Sequence, residues 1–312
     1  MRPRERCGFP AGKDRPRTGR HPVRKEGTRM SKVKVVVDST ADIPRDIAEE
    51  LGITVVPLNV HFGDEVFLDW VEMSPPEFYE KLTTSPHHPR TSQPAPGDFA
   101  KVYEELTGDG SPVLSLHISA ALSGTLQSAE LGKAMVENKE ARVEIIDTRG
   151  ASMHFGLAAI RAGRAAKEGR SLEEVAALVR ETMEKIKVVF AVDTLEYLVR
   201  NGRIGRAQGL IGSLLSIKPL LTLEDGLVAP LEKVRGAKKV LPRMVEIMTE
   251  NLEPDRDTDC CIVHADCLER ARELKEMVEK ATRVREFIVT DLGPVIGTHA
   301  GPGTLGLVYY QP

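Results

Sequence analysis

The sequence predicts an α/β protein of two domains: an N-terminal parallel-sheet domain, then a mixed α/β domain. Two observations carry this. From about residue 33 to 170, apolar runs of strand length alternate with amphipathic helical stretches, the pattern of βαβ units. After Ser171 that rhythm breaks, and a hairpin-like segment enters before alternation resumes. With 312 residues the chain is long enough for two cores. The expected boundaries are a leader over 1–30, a first domain over 31–170 and a second over 171–312.

The first ordered segment, KVKVVVDSTADIPRDIAEELGITVVPLNV, reads as strand, helix, strand. Its unbroken Val run implies a strand buried on both faces of a parallel sheet. Pro44 suits a first helical turn, Ile43, Ile47 and Leu51 share a face, and Gly52 is a stop signal. SPPEFYEKL opens with a capping box, Ser74 with Glu77. A helix GDFAKVYEEL, a strand PVLSLHI, a helix SGTLQSAELGKAMVEN, a strand VEIIDT and a helix ASMHFGLAAIRAGRAAKEG follow. SLEEVAALVRETMEKI has its own capping box, Ser171 with Glu174, and could connect the domains. Then come the strand VVFAVDT, a helical LEYLVRNGR, a Gly-rich GLIGSLLSI, and the hairpin KPLLTLEDGLVAPLEKV with its turn at Glu224-Asp225-Gly226. A helix over 237–252, a strand over 259–264, a helix over 267–281, a strand over 284–290, then a loop, HAGPGT, and a last apolar strand complete the chain.

Hydrophobic residues at 41% and charged residues at 29% describe a soluble globular composition. The net charge of -3 conceals an asymmetry, because residues 1–30 hold ten Lys/Arg and three Asp/Glu, leaving the remainder at about -10. That leader carries four Pro, four Gly and no apolar periodicity, so it reads as a disordered tail or as a start misassigned upstream of Met30. It lacks the apolar stretch of a secretory signal, and no run is long enough to span a bilayer, so a cytoplasmic location is expected. The acidic body argues against a nucleic-acid partner. Cys7, Cys260, Cys261 and Cys267 make no disulfide framework, and with His264 they fit no zinc spacing.

Three polar loops could carry chemistry. In HISAALSGTLQSA, Ser123 stands where a strand gives way to a helix. It could be a helix cap, a receptor for an anion at the helix N-terminus, or a nucleophile. The last reading would make the protein a serine hydrolase acting on acyl esters, although Ala121-Leu122-Ser123-Gly124 lacks the first glycine of a G-x-S-x-G elbow. RTSQPAPGDF, from Arg90, holds Thr91, Ser92 and Gln93 ahead of Pro94 and Pro96 in a rigid loop. GPVIGTHAGPGTLG sets His299 among Gly297, Gly301 and Gly303. Hydroxyls, backbone amides and one imidazole, without a carboxylate pair or a Walker lysine, suit holding an anion better than transforming it.

Seven co-linear segments, VDSTADIP, TSQP, LSGTLQSA, DTRGASM, LEYLVRNGRIG, LLSIKPLL and IGTHAGPGTLG, spread from residue 37 to 306, resemble the DegV family. Its characterised members are the fatty-acid-binding subunits, FakB, of bacterial fatty acid kinase. The resemblance implies a DegV-like fold that binds one long-chain fatty acid at the domain junction. The bound carboxylate would be presented to a separate FakA-like kinase subunit, which makes an acyl phosphate for phospholipid synthesis. It implies no cofactor and no metal, no catalysis by this chain alone, and room for transient membrane contact. By motif, Thr91, Ser123 and His299 would hydrogen-bond the carboxylate, with Ser92 and Gly124 flanking it. Arg203, and more weakly Arg200, would sit near the mouth to dock the kinase or steady the phosphoryl group. Ala120, His154, Asn201 and Ala300 depart from the family pattern and bear on side-chain size near the pocket. GLIGSLLSIKPLL would add apolar wall. A regulatory sensor acting through the basic leader is the remaining alternative.

Overall fold

The computed structural model describes residues 32–211 and 217–312, so the leader and residues 212–216 of the Gly-rich segment lie outside the described residues. The chain runs β1 (Lys34–Asp38), α1 (Arg45–Leu51), β2 (Ile53–Val56), β3 (Asn59–Phe62), β4 (Glu65–Leu68), α2 (Pro75–Thr84), β5 (Arg90–Ser92), α3 (Pro96–Thr107), β6 (Val113–His117), α4 (Thr125–Met135), β7 (Val143–Asp147) and α5 (Met153–Lys167). It continues with α6 (Leu172–Lys185), β8 (Lys187–Ala191), α7 (Glu196–Arg200), β9 (Ile217–Glu224), β10 (Leu227–Arg235), α8 (Val240–Glu250), β11 (Thr258–His264), α9 (Leu268–Ala281), β12 (Val284–Asp291), α10 (Pro294–Ala300) and β13 (Leu305–Tyr310).

Among the described residues the strands form three sheets. The first, in the order β2-β1-β6-β7, is wholly parallel. Its central strand obeys the period of two: Val35 and Val37 join the core on one face, and Val36 joins a second cluster with Phe99 and Tyr103 on the other. Both faces are thus buried, as the Val run implies. The second sheet, β10-β9-β8-β13-β11-β12, is mixed, with β11 and β12 parallel and its other neighbours antiparallel. Neighbouring cysteines again show the alternation: Cys260 packs with α8 and α9, whereas Cys261 faces the core shared with α5. The fold is the α/β class expected, a parallel sheet followed by a mixed one. Helix α5, buried over most of its length, contributes to a core that contains residues of both sheets. Asp225 and Gly226, both at positive φ, turn β9 into β10 where the sequence predicts it.

The third sheet, β4-β3-β5, corrects the sequence reading. The run ITVVPLNV is two strands, interrupted at Pro57 and Leu58, and the loop expected at Arg90 is an edge strand pairing His61 with Arg90 and Asn59 with Ser92. A second correction concerns GPVIGTHA, which is helix α10 and not loop. Pro294 opens it, and Gly297 is required at its centre because a Cβ there would lie 2.6 Å from the Tyr79 hydroxyl. Close packing against α2 therefore overrides the weak helix propensity of glycine.

Candidate functional site

The loops at the C-terminal end of the parallel sheet, the third sheet, α10 and the inner face of the mixed sheet converge on one cavity. It encloses about 1000 Å³ of atom-free space, open mouth included. Leu58, Ile118, Val188, Phe190, Val263 and Val308 are among the residues that make its body apolar. Its polar lining comes from Thr91, Ser92, Gln93, Ser123, Ser152, Arg203, His299 and Thr304.

Thr91 sits on β5, paired across from Val60, and its Oγ1 lies 2.9 Å from His299 Nε2. His299 is delivered from the last turn of α10. Its Nδ1 is buried without a hydrogen-bond partner, and burial, then the nearby Arg203 and His88 charges, push its pKa down to about 4. The imidazole is neutral at pH 7, with one ring nitrogen unsatisfied beside the cavity.

Ser123 precedes α4, whose N-cap is Gly124. Its Oγ lies 2.8 Å from Thr125 Oγ1 and accepts the Thr125 amide at 3.3 Å. A cap-like bond and a cavity-facing hydroxyl therefore coexist in one residue, and its partner is a threonine, not an imidazole. Gly124 backs the site, since a Cβ there would come within 3.0 Å of the Gln93 amide. Arg203 also lines the cavity: its Nε donates to Leu122 O at 3.2 Å and its Nη1 to Asn201 O at 2.7 Å, which ties the Ser123 loop to the segment after α7.

Thr91, Ser92, Ser123, Arg203 and His299 thus line one cavity, with Gly124 directly behind it. Arg200 does not line it: it pairs with Glu196 and borders a separate depression. Of the four departures, Ala300 alone lines the cavity. Ala120 is exposed, Asn201 donates to Thr298 O at 3.0 Å, and His154 is buried beside a groove elsewhere. Sequence reasoning missed Ser152, at φ 55°, whose hydroxyl donates to buried Asp42 at 2.5 Å while lining the cavity. It also missed the anchors of α10: Asp42 accepts the Gly293 amide at 3.0 Å and Asp69 accepts the Val295 amide at 3.2 Å. Burial raises both carboxyls, Asp69 to about 7. Nothing local in the sequence marks contacts spanning more than 220 residues. Among the described residues no group of His, Cys, Asp and Glu could hold a metal ion, and no helix is long and apolar enough to cross a membrane.

Compared with known proteins, residues 32–312 match the profile described as "Uncharacterised protein, DegV family". The chain belongs to the DegV family. A DegV domain-containing protein of Clostridium acetobutylicum is 39% identical over 280 residues, 89% of this chain and 97% of the relative. Among solved structures, a DegV family protein from Thermus thermophilus, described by its fatty acid binding, superposes with a TM-score of 0.84 at 38% identity, covering 90% of this chain and all of the other. DegV of Bacillus subtilis, described as a fatty acid binding protein, gives 0.83 at 34% identity with the same coverage.

Proposed function

We propose that the protein is a fatty-acid carrier: it buries the tail of one long-chain fatty acid in the apolar cavity and holds the carboxylate among Thr91, Ser123 and His299. Ser92 and Gly124 flank the head. The observation that carries the reading is the cavity itself, whose lining is mostly apolar and includes the Thr91 and Ser123 hydroxyls, the His299 imidazole and the Arg203 guanidinium. The fatty acid binding described for the Thermus and Bacillus neighbours supports it.

Energetics divide the labour. Burying about fifteen methylenes at roughly 0.8 kcal/mol each gives on the order of 12 kcal/mol before association and ordering costs. The tail therefore supplies affinity. A carboxylate taken out of water needs partners, and a charge-assisted hydrogen bond contributes about 1.5–3 kcal/mol, so the head group fixes orientation.

The carrier then presents its carboxylate in the cytoplasm to a separate ATP-dependent kinase subunit, which forms the acyl phosphate used in phospholipid synthesis; collecting the lipid involves transient membrane contact. Arg203 at the mouth, with Arg200 beyond it, docks that subunit or steadies the phosphoryl group. Positioned donors hold the acceptor while the partner brings nucleotide and magnesium, so this chain needs no catalytic machinery of its own.

The test is mass spectrometry of the purified protein, native and after solvent extraction. One non-covalent fatty acid per chain is expected. Ser123→Ala or His299→Ala should weaken binding about tenfold or more and reduce phosphorylation of the bound lipid by the kinase, with the fold intact. A protein that neither carries nor takes up fatty acid would refute the reading, and unchanged binding and transfer in both variants would refute the assigned roles.

A further inference from the structure

Beside the polar end of the cavity, a second, open depression is bordered by His61, His87, His88, Arg90, Arg200 and Asn201. None of the residues that border it is acidic, although Glu196 pairs with Arg200 beside it. Arg200 shares its charge with Glu196, whereas exposed Arg90 has no ion-pair partner among the described residues. Its placement follows from the third sheet. His61 and Arg90 are cross-strand partners, so their side chains share the face opposite Thr91, which points to the cavity.

Two contacts join the depression to the head of the cavity. His61 Nε2 lies 2.9 Å from Ser92 Oγ. On the other side, the Asn201 amide donates to His88 Nε2 at 3.1 Å and to Thr298 O at 3.0 Å, the residue before His299. Charges of both signs act there: after burial, Arg200 pushes the His88 imidazole below its ordinary value, Glu196 opposes that shift, and Arg90 adds to it.

We propose that this depression is a phosphate subsite, in which Arg90 and Arg200, with the His61 and His87 imidazoles, hold the phosphate group of a ligand one residue layer from the Thr91–His299 pair. Guanidinium groups present several donors in a fork that matches phosphate oxygens; Glu196 occupies part of the Arg200 fork, whereas Arg90 is paired with no carboxylate among the described residues. An anion would relieve the repulsion between cations brought together by the fold. The inference rests on the carrier reading for its purpose, because a carboxylate that receives a phosphoryl group needs that group held beside it. The phosphate can belong to a nucleotide or to a lipid headgroup, and one chemistry serves both.

The experiment follows the imidazole resonances of the full chain, with its fatty acid content measured on the same sample, while inorganic phosphate replaces chloride at constant ionic strength. His61, His87 and His88 should shift and saturate while buried His117 stays fixed. Arg90→Gln should raise the half-saturating phosphate concentration about tenfold, as expected for one charged hydrogen-bonding group, and leave the fatty acid content unchanged. His87→Ala, made separately, should raise it less. Shifts that do not saturate, or that saturate identically in Arg90→Gln, would overturn the subsite. ATP or phosphatidylglycerol vesicles reproducing the same shifts would support it and identify the source. Saturation by phosphate in a protein that neither carries nor takes up fatty acid would sink the carrier reading and leave the subsite standing.

Discussion

Of the hydroxyl–imidazole arrangements among the described residues, two invite comparison, and the more complete one has no access to a substrate. Tyr103 donates to Ser115 at 2.8 Å, Ser115 meets His117 Nε2 at 2.8 Å, and His117 Nδ1 lies 3.0 Å from Asp38. Asp38 also accepts the Thr40 and Ile118 amides at 3.1 and 3.0 Å. That is the connectivity of a hydrolytic triad, yet all four side chains are fully buried and the edge of Phe99 closes on the imidazole. Thr91 and His299 form only a pair, with the far nitrogen unsatisfied, but they open on a cavity. Every donor in the first network is spent on the fold. The second leaves His299 Nδ1 without a partner in a residue that lines the cavity, and hydrogen-bonding capacity not consumed by the fold is what a binding site keeps.

The sharpest way to break this contrast is to cut each network. Asp38→Ala leaves two backbone amides and the His117 ring nitrogen without an acceptor in a dry core. It should cost on the order of 3–5 kcal/mol, read as a lower urea midpoint with unchanged slope. Thr91→Val should change stability by less than about 1 kcal/mol while weakening fatty acid binding. A stable Asp38→Ala protein that has lost its lipid would reverse the assignment of structural and functional roles.

A smaller effect concerns protonation of His299. Its folded pKa of about 4 lies below the ordinary 6.5, so between those values the unfolded chain binds the extra proton. Stability from this group is therefore complete above about pH 6.5 and is lost as pH falls toward 4. His154, also held at about 4 by burial, has the same sign but does not line the cavity. A fatty acid carboxylate beside His299 favours the imidazolium, so loading should move the His299 titration midpoint upward and leave that of His154 in place. Imidazole titrations of loaded and delipidated protein separate the two. Coincident His299 midpoints would mean that the carboxylate sits elsewhere.

How far the sequence reaches can be judged from the same residues. The Val35–Val37 run predicts its doubly buried strand because alternation alone assigns the faces, and Asp225-Gly226 predicts its hairpin because the turn needs positive φ. The segments holding Thr91, Ser123 and His299 are legible as polar punctuation, and they meet at one cavity. Short edge elements are not legible. Strands β3 and β4, four residues each, offer too little periodicity, and α10 is a helix only because Gly297 admits Tyr79. Direction fails most readily: Arg203 and, more weakly, Arg200 are both candidates on paper. Helix α7 ends at Arg200 and Gly202, at φ 69°, redirects the chain, so Arg203 reaches the cavity and Arg200 faces the histidine-rich depression.

The smallest effect tests how finely the cavity wall selects its ligand. Ala300 lines the cavity and is 8% exposed, whereas Ala120 is exposed at a loop whose amide bonds Asp147. Ala300→Thr places two further heavy atoms against the ligand, so the longest chain accepted should shorten by about one or two methylenes. At roughly 0.8 kcal/mol per methylene, each step is about a fourfold change in relative affinity between homologous fatty acids. Ala120→Ser should leave the profile unchanged. Both variants, incubated with an equimolar mixture of fatty acids and extracted, give that profile directly. If Ala300→Thr selects the same chains as the unmodified protein, the ligand does not pack against this turn of α10, and chain length is set on the mixed-sheet side, where Phe190 and Val308 form the wall.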